Sequence, residues 1–454
     1  MGRIETNIVA LEETRRLLRA GMDYHSAGKF AEAESAYLAV LDHGYRIADV
    51  LPLVAGLASA RGDLLAALEH WTKLLDLQPS HIFGLCEKGS LLHRLGRWTE
   101  AVEPLEAAYQ VEPCNLNLLA NLGVALTDAG RLDDALIAFR RLQELDPGNM
   151  LVQHLVRRTA SAIVPYWHIP MLNDQARNDA FENAIRMAVS VRGSDARVLD
   201  IGAGSGLLSM MAARAGAKSV VCCESVPVIA ETAAKIVAKN GYEDRIRVIA
   251  KRSNRLVIGE DMEERADILI SEILSSDLLS EHVLATFEDA HARLVREDAT
   301  VIPRAVTARG CLIESEVLAK YAFVNSVSGF DVGPFTALAA QRLPVHGKIT
   351  SWRKLSDDQD LVHVDLKARR HDSGGRRLSI PVTSDGIAIG VMQWLHVDVA
   401  EGVEFVNSPE EYCDGGWLQL LHTFPGPVSV RAGETFELEV GHDRSSLMIL
   451  PCAR

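Results

Sequence analysis

Two glutamates, Glu272 and Glu281, lie nine residues apart in the stretch ADILISEILSSDLLSEHV, residues 266–283. Glu272 follows a short apolar run of the kind that forms a buried strand. Taken alone, the stretch favours ordinary surface glutamates. If both carboxylates instead face a ligand, they suit a guanidinium, which is a planar fork of five N–H donors that pairs bidentately with carboxylates. A second motif must decide between these interpretations.

That second motif lies upstream, in SDARVLDIGAGSGLLSMMAARAGAKSVVCCES. The pattern predicts a strand, a glycine loop, a helix and a second strand, which is the opening of a doubly wound α/β domain. Asp200 ends the first strand, and Gly202 and Gly204 allow a ligand to approach the backbone at the start of the helix. The loop differs from the dinucleotide fingerprint G-x-G-x-x-G. Glu224 follows the second strand, where a carboxylate accepts both hydroxyls of a ribose. Together these residues predict binding of S-adenosylmethionine or a similar nucleoside.

The glutamates can now be placed. The segment ADILIS is the next candidate parallel strand, and ligands of such sheets lie beyond the carboxyl ends of the strands. Glu272 is therefore expected to face the same crevice as the glycine loop. The chain is expected to turn helical near Leu278, which would place Glu281 in the first turns of that helix, folded back toward Glu272. Two carboxylates beside S-adenosylmethionine would grip a guanidinium and leave one terminal nitrogen facing the methyl group.

This double-glutamate stretch resembles that of the protein arginine N-methyltransferases, in which S-E is followed by a second Glu nine residues later. Upstream, PYWHIPMLNDQARNDAF resembles the helical segment that this family folds over its cofactor. The resemblance implies that His168 contacts the cofactor and that Arg177 binds its methionyl carboxylate. It also implies that Ser253 and Asn254, in AKRSNRL, lie near adenine. Glu272 and Glu281 are then the catalytic residues, while Asp200, Gly202, Gly204 and Glu224 bind the cofactor.

The last third of the chain is rich in alternating strand patterns, such as LVHVDLKA, VMQWLHVDV and ETFELEV. The resemblance implies a β-barrel that closes the arginine groove. Within it, CDGGWLQLL resembles the Thr-His-Trp loop of the family, so Trp417 is implied in substrate binding. Gly415 and Gly416 stand where the family has Thr and His. We expect Gly416→His to leave kcat unchanged or to raise it.

The first third repeats with a period of 34 residues. Each unit is predicted to be a helix, a short turn and a second helix, as in tetratricopeptide repeats. Glycine and alanine are expected where the two helices approach closely, and proline is expected to end the second helix. The positions that follow this period are Gly28, Gly62, Gly96 and Gly130; Ala33, Ala67, Ala101 and Ala135; and Pro79, Pro113 and Pro147. Such arrays usually bind protein or peptide on their concave face, although a purely structural cap or a dimer contact is the alternative.

Composition narrows the class of protein. The chain has 454 residues and a net charge of −14, which argues against nonspecific nucleic-acid binding. Its N-terminus lacks the pattern of a signal peptide, and no apolar run is long enough to span a membrane. The seven cysteines form no CxxC pair, so we expect reduced thiols, no metal site and a cytoplasmic location.

The sequence therefore predicts a multidomain protein with three parts. These are an all-α tetratricopeptide superhelix (residues 1–158), an α/β Rossmann-like methyltransferase domain (159–303) and a β-barrel substrate-binding domain (304–454). We expect methyl transfer from S-adenosylmethionine to an arginine of a protein or peptide substrate, with the repeats recruiting a substrate or partner and with a homodimer implied by the resemblance. Two alternatives stay open: a S-adenosylmethionine-binding scaffold without turnover and a small-molecule methyltransferase.

Overall fold

The computed structural model describes residues 2–346, 349, 351–410 and 415–452, and it divides into two units, Met1–Val164 and Pro165–Arg454. The first unit is helical. Its helices, within the described residues, are α1 Gly2–Ser26, α2 Phe30–Asp42, α3 Ile47–Arg61, α4 Leu64–Leu77, α5 Ile82–Arg94, α6 Trp98–Val111, α7 Leu116–Asp128, α8 Leu132–Leu145 and α9 Met150–Ile163. They form four antiparallel pairs followed by α9, which confirms the predicted repeats. The predicted boundary at residue 158 falls within α9, and the division into three domains stays a prediction.

The glycines of the 34-residue period do not lie where the helices touch, so that part of the prediction was wrong. Gly28, Gly62, Gly96 and Gly130 all have φ between 74° and 90°, and a Cβ at any of them would meet nothing within 4 Å. They terminate the first helix of each pair with the left-handed conformation that favours glycine. The prolines behave as predicted, because α4, α6 and α8 each end two residues before one.

Close approach of the paired helices comes from a second set of positions with the same period. A Cβ on Gly89 would lie 2.5 Å from Leu105 Cγ, and a Cβ on Gly123 would lie 2.3 Å from the Phe139 ring. Gly21 faces the Tyr37 ring in the same way, at 2.7 Å. Three of the four repeats therefore bury one large side chain against a glycine of the preceding helix, and the second repeat has Ala55 at this position. The periodic alanines Ala33, Ala67, Ala101 and Ala135 are fully buried, as predicted.

The second unit begins with a parallel sheet flanked by helices. Its strands are β1 Arg197–Ile201, β2 Ser219–Cys223, β3 Ile246–Ile249, β4 Ala266–Ser271 and β5 Val295–Ile302. Its helices are α10 His168–Asn173, α11 Gln175–Arg192, α12 Leu207–Arg214, α13 Pro227–Lys239 and α14 Val283–Arg293. The strand order is β3-β2-β1-β4-β5, and every pairing is parallel. All six residues of β4 are buried, which explains the consecutive apolar residues Ile268, Leu269 and Ile270 at its centre.

The chain then forms antiparallel sheets. Further elements are β6 Ala305–Glu314, α15 Glu316–Ala322, β7 Ser326–Val327, β8 Phe330–Asp331, β9 Arg342–Val345, β10 Arg353–Lys354, β11 Gln359–Asp365, β12 Gly374–Pro381, β13 Gly386–Ala400, β14 Val403–Val406, β15 Gln419–Val430, β16 Thr435–His442 and β17 Leu447–Pro451. The main sheet follows the order β10-β6-β13-β15-β9, with β11 on β6 and β14 on β13, and β12-β16-β17 form another. The predicted strand-rich region is confirmed, its strands pair antiparallel, and its closure into a barrel stays a prediction.

Two bulk properties concern the described residues. None of the helices there is both long and apolar enough to cross a bilayer. Six cysteines, Cys86, Cys114, Cys222, Cys223, Cys311 and Cys452, have free thiols, and Cys413 lies outside the described residues.

Candidate functional site

The predicted ligand-binding residues gather at the carboxyl edge of the parallel sheet. Asp200 lies at the end of β1, Glu224 directly follows β2, and Glu272 directly follows β4. These three strands are neighbours in the sheet, so their ends share one crevice. The structure thus brings together the acids that the sequence analysis assigned to this edge.

The glycine loop between β1 and α12 is shaped by positive backbone angles. Gly202 and Gly204 have φ of 78° and 53°, and a Cβ on Gly202 would lie 2.4 Å from Ile273 Cγ2. The buried carboxylate of Glu224 accepts hydrogen bonds from Gly204 N at 3.1 Å and from Val226 N at 2.9 Å. Glu224 therefore holds the glycine loop, and its remaining lone pairs stay available for a ligand diol.

Asp200 is a buried carboxyl group with one oxygen left free. Its Oδ2 accepts a hydrogen bond from Ser209 Oγ at 2.6 Å, whereas Oδ1 has no partner in the described structure. Burial raises the pKa of Asp200 to about 6, although the Ser209 hydrogen bond favours the ionised form. A buried acceptor without a donor is costly, so this oxygen is suited to a donor group on a ligand.

Arg177 and Glu272 form a buried ion pair that the sequence analysis did not foresee. Asp174 caps α11 by accepting a hydrogen bond from Arg177 N at 3.1 Å, which sets the start of the helix. Nη2 of Arg177 then donates to Glu272 Oε2, and the two side chains are only 5% and 4% exposed. The guanidinium also lies 5.5 Å from the Phe181 ring and 5.8 Å from the Trp417 ring. Arg177, which was expected to bind the cofactor, therefore forms a hydrogen-bonded ion pair with Glu272, which was expected to bind the substrate.

This ion pair leaves two polar atoms unsatisfied. Arg177 Nε and Glu272 Oε1 are buried and have no partner in the described structure. Burial raises the pKa of Glu272 to about 7, although the charge of Arg177 favours the ionised form. The negative charge of Glu281 adds to the rise. The site thus has unused capacity for both a donor and an acceptor on a ligand.

Glu281 does not lie within a helix, so the expected position in the first turns of one was wrong. Helix α14 begins at Val283, and the preceding His282 has φ of 58°. The chain between β4 and α14 is instead an irregular loop, in which Leu278 has φ of 74°. Glu281 is exposed as a whole residue, but partial burial of its carboxyl group raises the pKa of that group. The negative charges of Glu224 and Asp277 raise this pKa further.

Three further residues, His168, Ser253 and Asn254, were predicted to bind the cofactor. His168 begins α10; it is half-buried, its ring stacks on Trp167, and its Nδ1 has no partner in the described structure. Ser253 and Asn254 form a short turn after β3, the strand beside β2. Their roles in cofactor binding stay predictions.

Trp417 contacts the glutamate loop and Arg177. Its side chain is 3% exposed, and its Nε1 donates to Leu274 O at 2.7 Å. The preceding Gly416 packs on α10: a Cβ there would lie 2.4 Å from Met171 Cγ, 2.9 Å from Met171 N and 3.0 Å from Met171 Cα. The space expected for a histidine side chain is filled by Met171. The expectation that Gly416→His would be harmless or beneficial is therefore replaced by the opposite one.

Sequence reasoning missed four contributors to this site, namely Met171, Asn178, Asp277 and Arg342. Asn178 accepts a hydrogen bond from Arg177 Nη1 at 2.9 Å, and Arg342 donates to Asp277 at 2.5 Å. Met171 and Asn178 carried a signal, because both belong to the segment PYWHIPMLNDQARNDAF that resembles the family. The Asp277–Arg342 contact joins distant parts of the chain, and no local motif marks it.

Parts of both units match known families. Residues 183–305 match the family model described as ribosomal protein L11 methyltransferase (PrmA), and residues 86–149 match that of the tetratricopeptide repeat. Two solved structures are similar to the second unit. One is the Trypanosoma brucei PRMT1 enzyme–prozyme heterotetrameric complex with AdoHcy, with a TM-score of 0.55 and 25% identity over 63% of this chain and 93% of that one. The other, Arabidopsis thaliana protein arginine methyltransferase 10, has a TM-score of 0.50 and 19% identity over 62% of this chain and 89% of that one, and it supports the fold alone.

Curated relatives agree with the structures. The protein arginine N-methyltransferase 7 of Drosophila ananassae is 30% identical over 61% of this chain, which spans only 46% of that relative. The arginine N(omega)-methyltransferase of Streptomyces achromogenes subsp. streptozoticus is 35% identical over 63% of this chain and 78% of that relative. The predicted resemblance is confirmed. Because the chain is 35% identical to the Streptomyces relative and covers 78% of it, the chain belongs to the arginine N-methyltransferase family.

Proposed function

We propose that this protein transfers a methyl group from S-adenosylmethionine to a guanidinium nitrogen of arginine in a protein substrate. The observation that carries the proposal is the guanidinium of Arg177 seated on Glu272. A carboxylate that already holds one guanidinium in a buried site has the geometry to hold another. Glu281, at the other end of the same loop, supplies the second carboxylate.

The residues at the sheet edge fit S-adenosylmethionine. Asp200 Oδ1 is a buried acceptor without a donor, and Arg177 Nε is a buried donor without an acceptor. They complement the ammonium and the carboxylate of the methionyl group. Glu224 would take the ribose hydroxyls, and His168, Ser253 and Asn254 would border the remainder. When bound, the cofactor supplies an electrophilic methyl group on a positively charged sulfur.

While Arg177 Nη2 donates to Glu272 Oε2, that carboxylate oxygen is not available to a substrate guanidinium. We infer that Arg177 turns toward the cofactor carboxylate, which leaves Glu272 free for the substrate. Glu272 and Glu281 then hold the substrate guanidinium and draw its positive charge away from the attacking nitrogen. That nitrogen forms its bond to the methyl group as the carbon–sulfur bond breaks, and its proton leaves afterwards to a glutamate or to water.

Positioning would supply much of the rate. Well-aligned reactants recover up to about 7–11 kcal/mol of the barrier, and the two glutamates, fixed at the ends of one loop, provide that alignment. No strong base is required, because the methylated guanidinium nitrogen becomes more acidic as its bond forms. The irregular loop that fixes Glu281 is therefore as important as the carboxylates themselves.

The substrate class distinguishes two candidates. The Streptomyces relative is named as an arginine methyltransferase, while the Drosophila relative is named as a protein arginine methyltransferase. We favour a protein substrate, because the four helix pairs of residues 2–145 are of a kind that usually binds peptide or protein. Methylation of free arginine is the second candidate, and the higher identity to the Streptomyces relative favours it.

Incubation of the full chain with methyl-labelled S-adenosylmethionine tests both candidates. An arginine-rich protein, the same protein with its arginines changed to lysine, and free arginine are offered in parallel. Label in the arginine-rich protein alone supports the proposal, and label in free arginine alone supports the second candidate. The absence of label in every sample, from a chain that still binds S-adenosylmethionine, would contradict both.

The proposal also includes the assembly of this chain into an oligomer. The segment 316–338 follows β6 and exposes four large apolar side chains, at 67–76% exposure: Tyr321, Phe330, Phe335 and Leu338. We propose that a second copy of the chain covers them. The Trypanosoma relative, solved as a heterotetrameric complex, is consistent with assembly in this family. Sedimentation of a variant with Phe330→Ser and Phe335→Ser should then show a monomer.

We also propose a cytoplasmic location, because the six described cysteines have free thiols.

A further inference from the structure

The loop between β4 and α14 carries one glutamate at each end, and its backbone is unusual. Leu278 and His282 both adopt positive φ, of 74° and 58°. Residues other than glycine rarely adopt this conformation, and it persists only where the surroundings hold it. Leu278 is fully buried, so the shape of the loop is maintained by packing and by hydrogen bonds from elsewhere in the second unit.

Asp277 organises the second half of this loop. Its carboxylate accepts hydrogen bonds from Ser275 Oγ at 2.6 Å, from Ser280 N at 3.3 Å and from Ser280 Oγ. Ser280 is the residue immediately before Glu281. Asp277 is 7% exposed, so these contacts are largely shielded from water. The backbone that leads into Glu281 is therefore fixed to the Asp277 carboxylate.

Arg342 joins this carboxylate to the main antiparallel sheet. It lies on β9, where it pairs with His422 of β15, and its Nη1 donates to Asp277 Oδ2 at 2.5 Å. Burial alone would raise the pKa of Asp277, but the hydrogen bonds from Ser275 and Ser280 and the charge of Arg342 together lower it. Asp277 is therefore an ionised acceptor at neutral pH, and Arg342 is its cationic partner.

Gln393 of β13, together with Trp417 and Leu418 just before β15, holds the first half of the loop. Trp417 Nε1 donates to Leu274 O at 2.7 Å, and Leu418 N donates to Ser276 Oγ at 2.9 Å. Gln393 Nε2 donates to Ser276 O at 3.3 Å. These contacts end before Asp277, so the link through Arg342 is the next one along the loop and the closest of the four to Glu281.

We propose that Arg342 is a positioning residue for methyl transfer, which acts through Asp277 to hold the Glu281 carboxylate in register with Glu272. This inference rests on the proposed function. Arg342 is assigned no contact with the reacting atoms. Loss of the pair would let the backbone at Leu278 relax and move Glu281, while the cofactor residues on β1 and β2 would keep their places. A displacement of about 1 Å at a reacting group costs up to about 100-fold in rate.

The experiment compares Arg342→Met with Arg342→Lys and with a matched control, Arg353→Met. Arg353 lies on β10, at the other edge of the same sheet, and pairs with Glu314 at 2.7 Å. Hydrogen–deuterium exchange of residues 275–282 reports the loop without requiring catalysis. Single-turnover methylation of an arginine peptide and calorimetric binding of S-adenosylmethionine report the two functions of the site.

We expect Arg342→Met to raise exchange at Ser280 by about tenfold or more and to lower the single-turnover rate by about 10–100-fold. Affinity for S-adenosylmethionine should stay within about twofold, because Arg342 contacts none of the groups assigned to the cofactor. Arg342→Lys should recover most of the rate, and Arg353→Met should change neither quantity. Adding Asp277→Asn to Arg342→Met should cost little more, since contacting residues act as a unit.

Three results would overturn the inference: unchanged exchange at Ser280 in Arg342→Met, an equal loss of rate in Arg353→Met, or a parallel loss of S-adenosylmethionine binding in Arg342→Met. A wild type that methylates no arginine would instead refute the proposed function. In that case the exchange measurement alone decides whether Arg342 holds the loop.

Discussion

Replacing Gly416 with alanine tests the packing between the Trp417 loop and α10. A Cβ would lie 2.4 Å from Met171 Cγ, which is a flexible side-chain atom, but also 2.9 Å and 3.0 Å from Met171 N and Cα. Ordinary carbon contacts are about 3.5–4.0 Å, so α10 itself must shift by roughly 0.5–1 Å. Overpacking of this kind costs about 1–3 kcal/mol. No residue of α10 is buried, so this short helix should yield while the sheets keep their places.

The displaced helix should affect the cofactor site. His168 begins α10, and Met171 O accepts a hydrogen bond from Arg177 Nη1 at 3.3 Å. If the full overpacking cost falls on the bound state, affinity for S-adenosylmethionine drops by about 5–150-fold, at 1.4 kcal/mol for each factor of ten. Gly416→His should lose at least as much.

Calorimetric titration with S-adenosylmethionine measures this loss. Gly426→Ala in β15 is a suitable control, because a Cβ there would meet nothing within 4 Å. Wild-type affinity in Gly416→Ala would refute the argument, since it would mean that α10 does not pack against Gly416. Full affinity and a higher kcat in Gly416→His would restore the view that the glycine merely lacks a useful histidine.

Four further predictions concern the acids and the repeats. Glu272→Gln should lower the single-turnover rate by at least ~100-fold, while calorimetry should show affinity for S-adenosylmethionine within a few-fold of wild type. The same change should lower the free energy of unfolding, measured in denaturant, by about 3–5 kcal/mol, because Arg177 loses its buried partner. Glu281→Gln should slow transfer similarly without that destabilisation; equal destabilisation would argue against the difference in burial. Because Glu272 must be ionised to hold a guanidinium and its pKa is raised to about 7, kcat/KM should fall about tenfold per pH unit below that value and level off above it; a profile flat down to pH 5 would contradict this. Removing residues 1–164 should weaken methylation of a protein substrate far more than that of an arginine peptide, and equal losses would mean that the repeats do not recruit substrate.

Local patterns predicted the elements of this protein well. A strand that is buried on both faces contains consecutive apolar residues, as β4 does at Ile268, Leu269 and Ile270, and a glycine loop with positive φ between a buried strand and the following helix indicates a parallel sheet. The edge at which Asp200, Glu224 and Glu272 meet follows from those elements, because parallel strands deliver their carboxyl ends to one side. The roles of these residues in binding and catalysis stay predictions.

What the sequence did not predict depends on contacts between distant residues. The period of 34 drew attention to Gly96 and its equivalents, although the glycine that permits close packing is Gly89, which is recognisable only once Leu105 is known to face it. Likewise, the resemblance to the Thr-His-Trp loop marked Gly416 as a missing histidine, and only the position of Met171 explains the glycine. The Arg177–Glu272 ion pair was also not predicted, because the two residues are distant in the sequence and each had been assigned to a different ligand.

The two units also differ in how their native contacts can form. In the repeats, Gly89 meets Leu105 within a single helical hairpin, so little chain has to be closed before the contact stabilises it. In the main antiparallel sheet of the second unit, Ala305 pairs with Asp398. In its parallel sheet, β1 pairs with β4 although two helices and two strands lie between them in the chain. Folding slows as contacts become less local, so we expect the repeats to refold much faster than the catalytic unit. During synthesis they also leave the ribosome first. The folded repeats should therefore exist while the methyl-transfer site is still incomplete, so that a partner of the proposed kind can be engaged before any chemistry is possible.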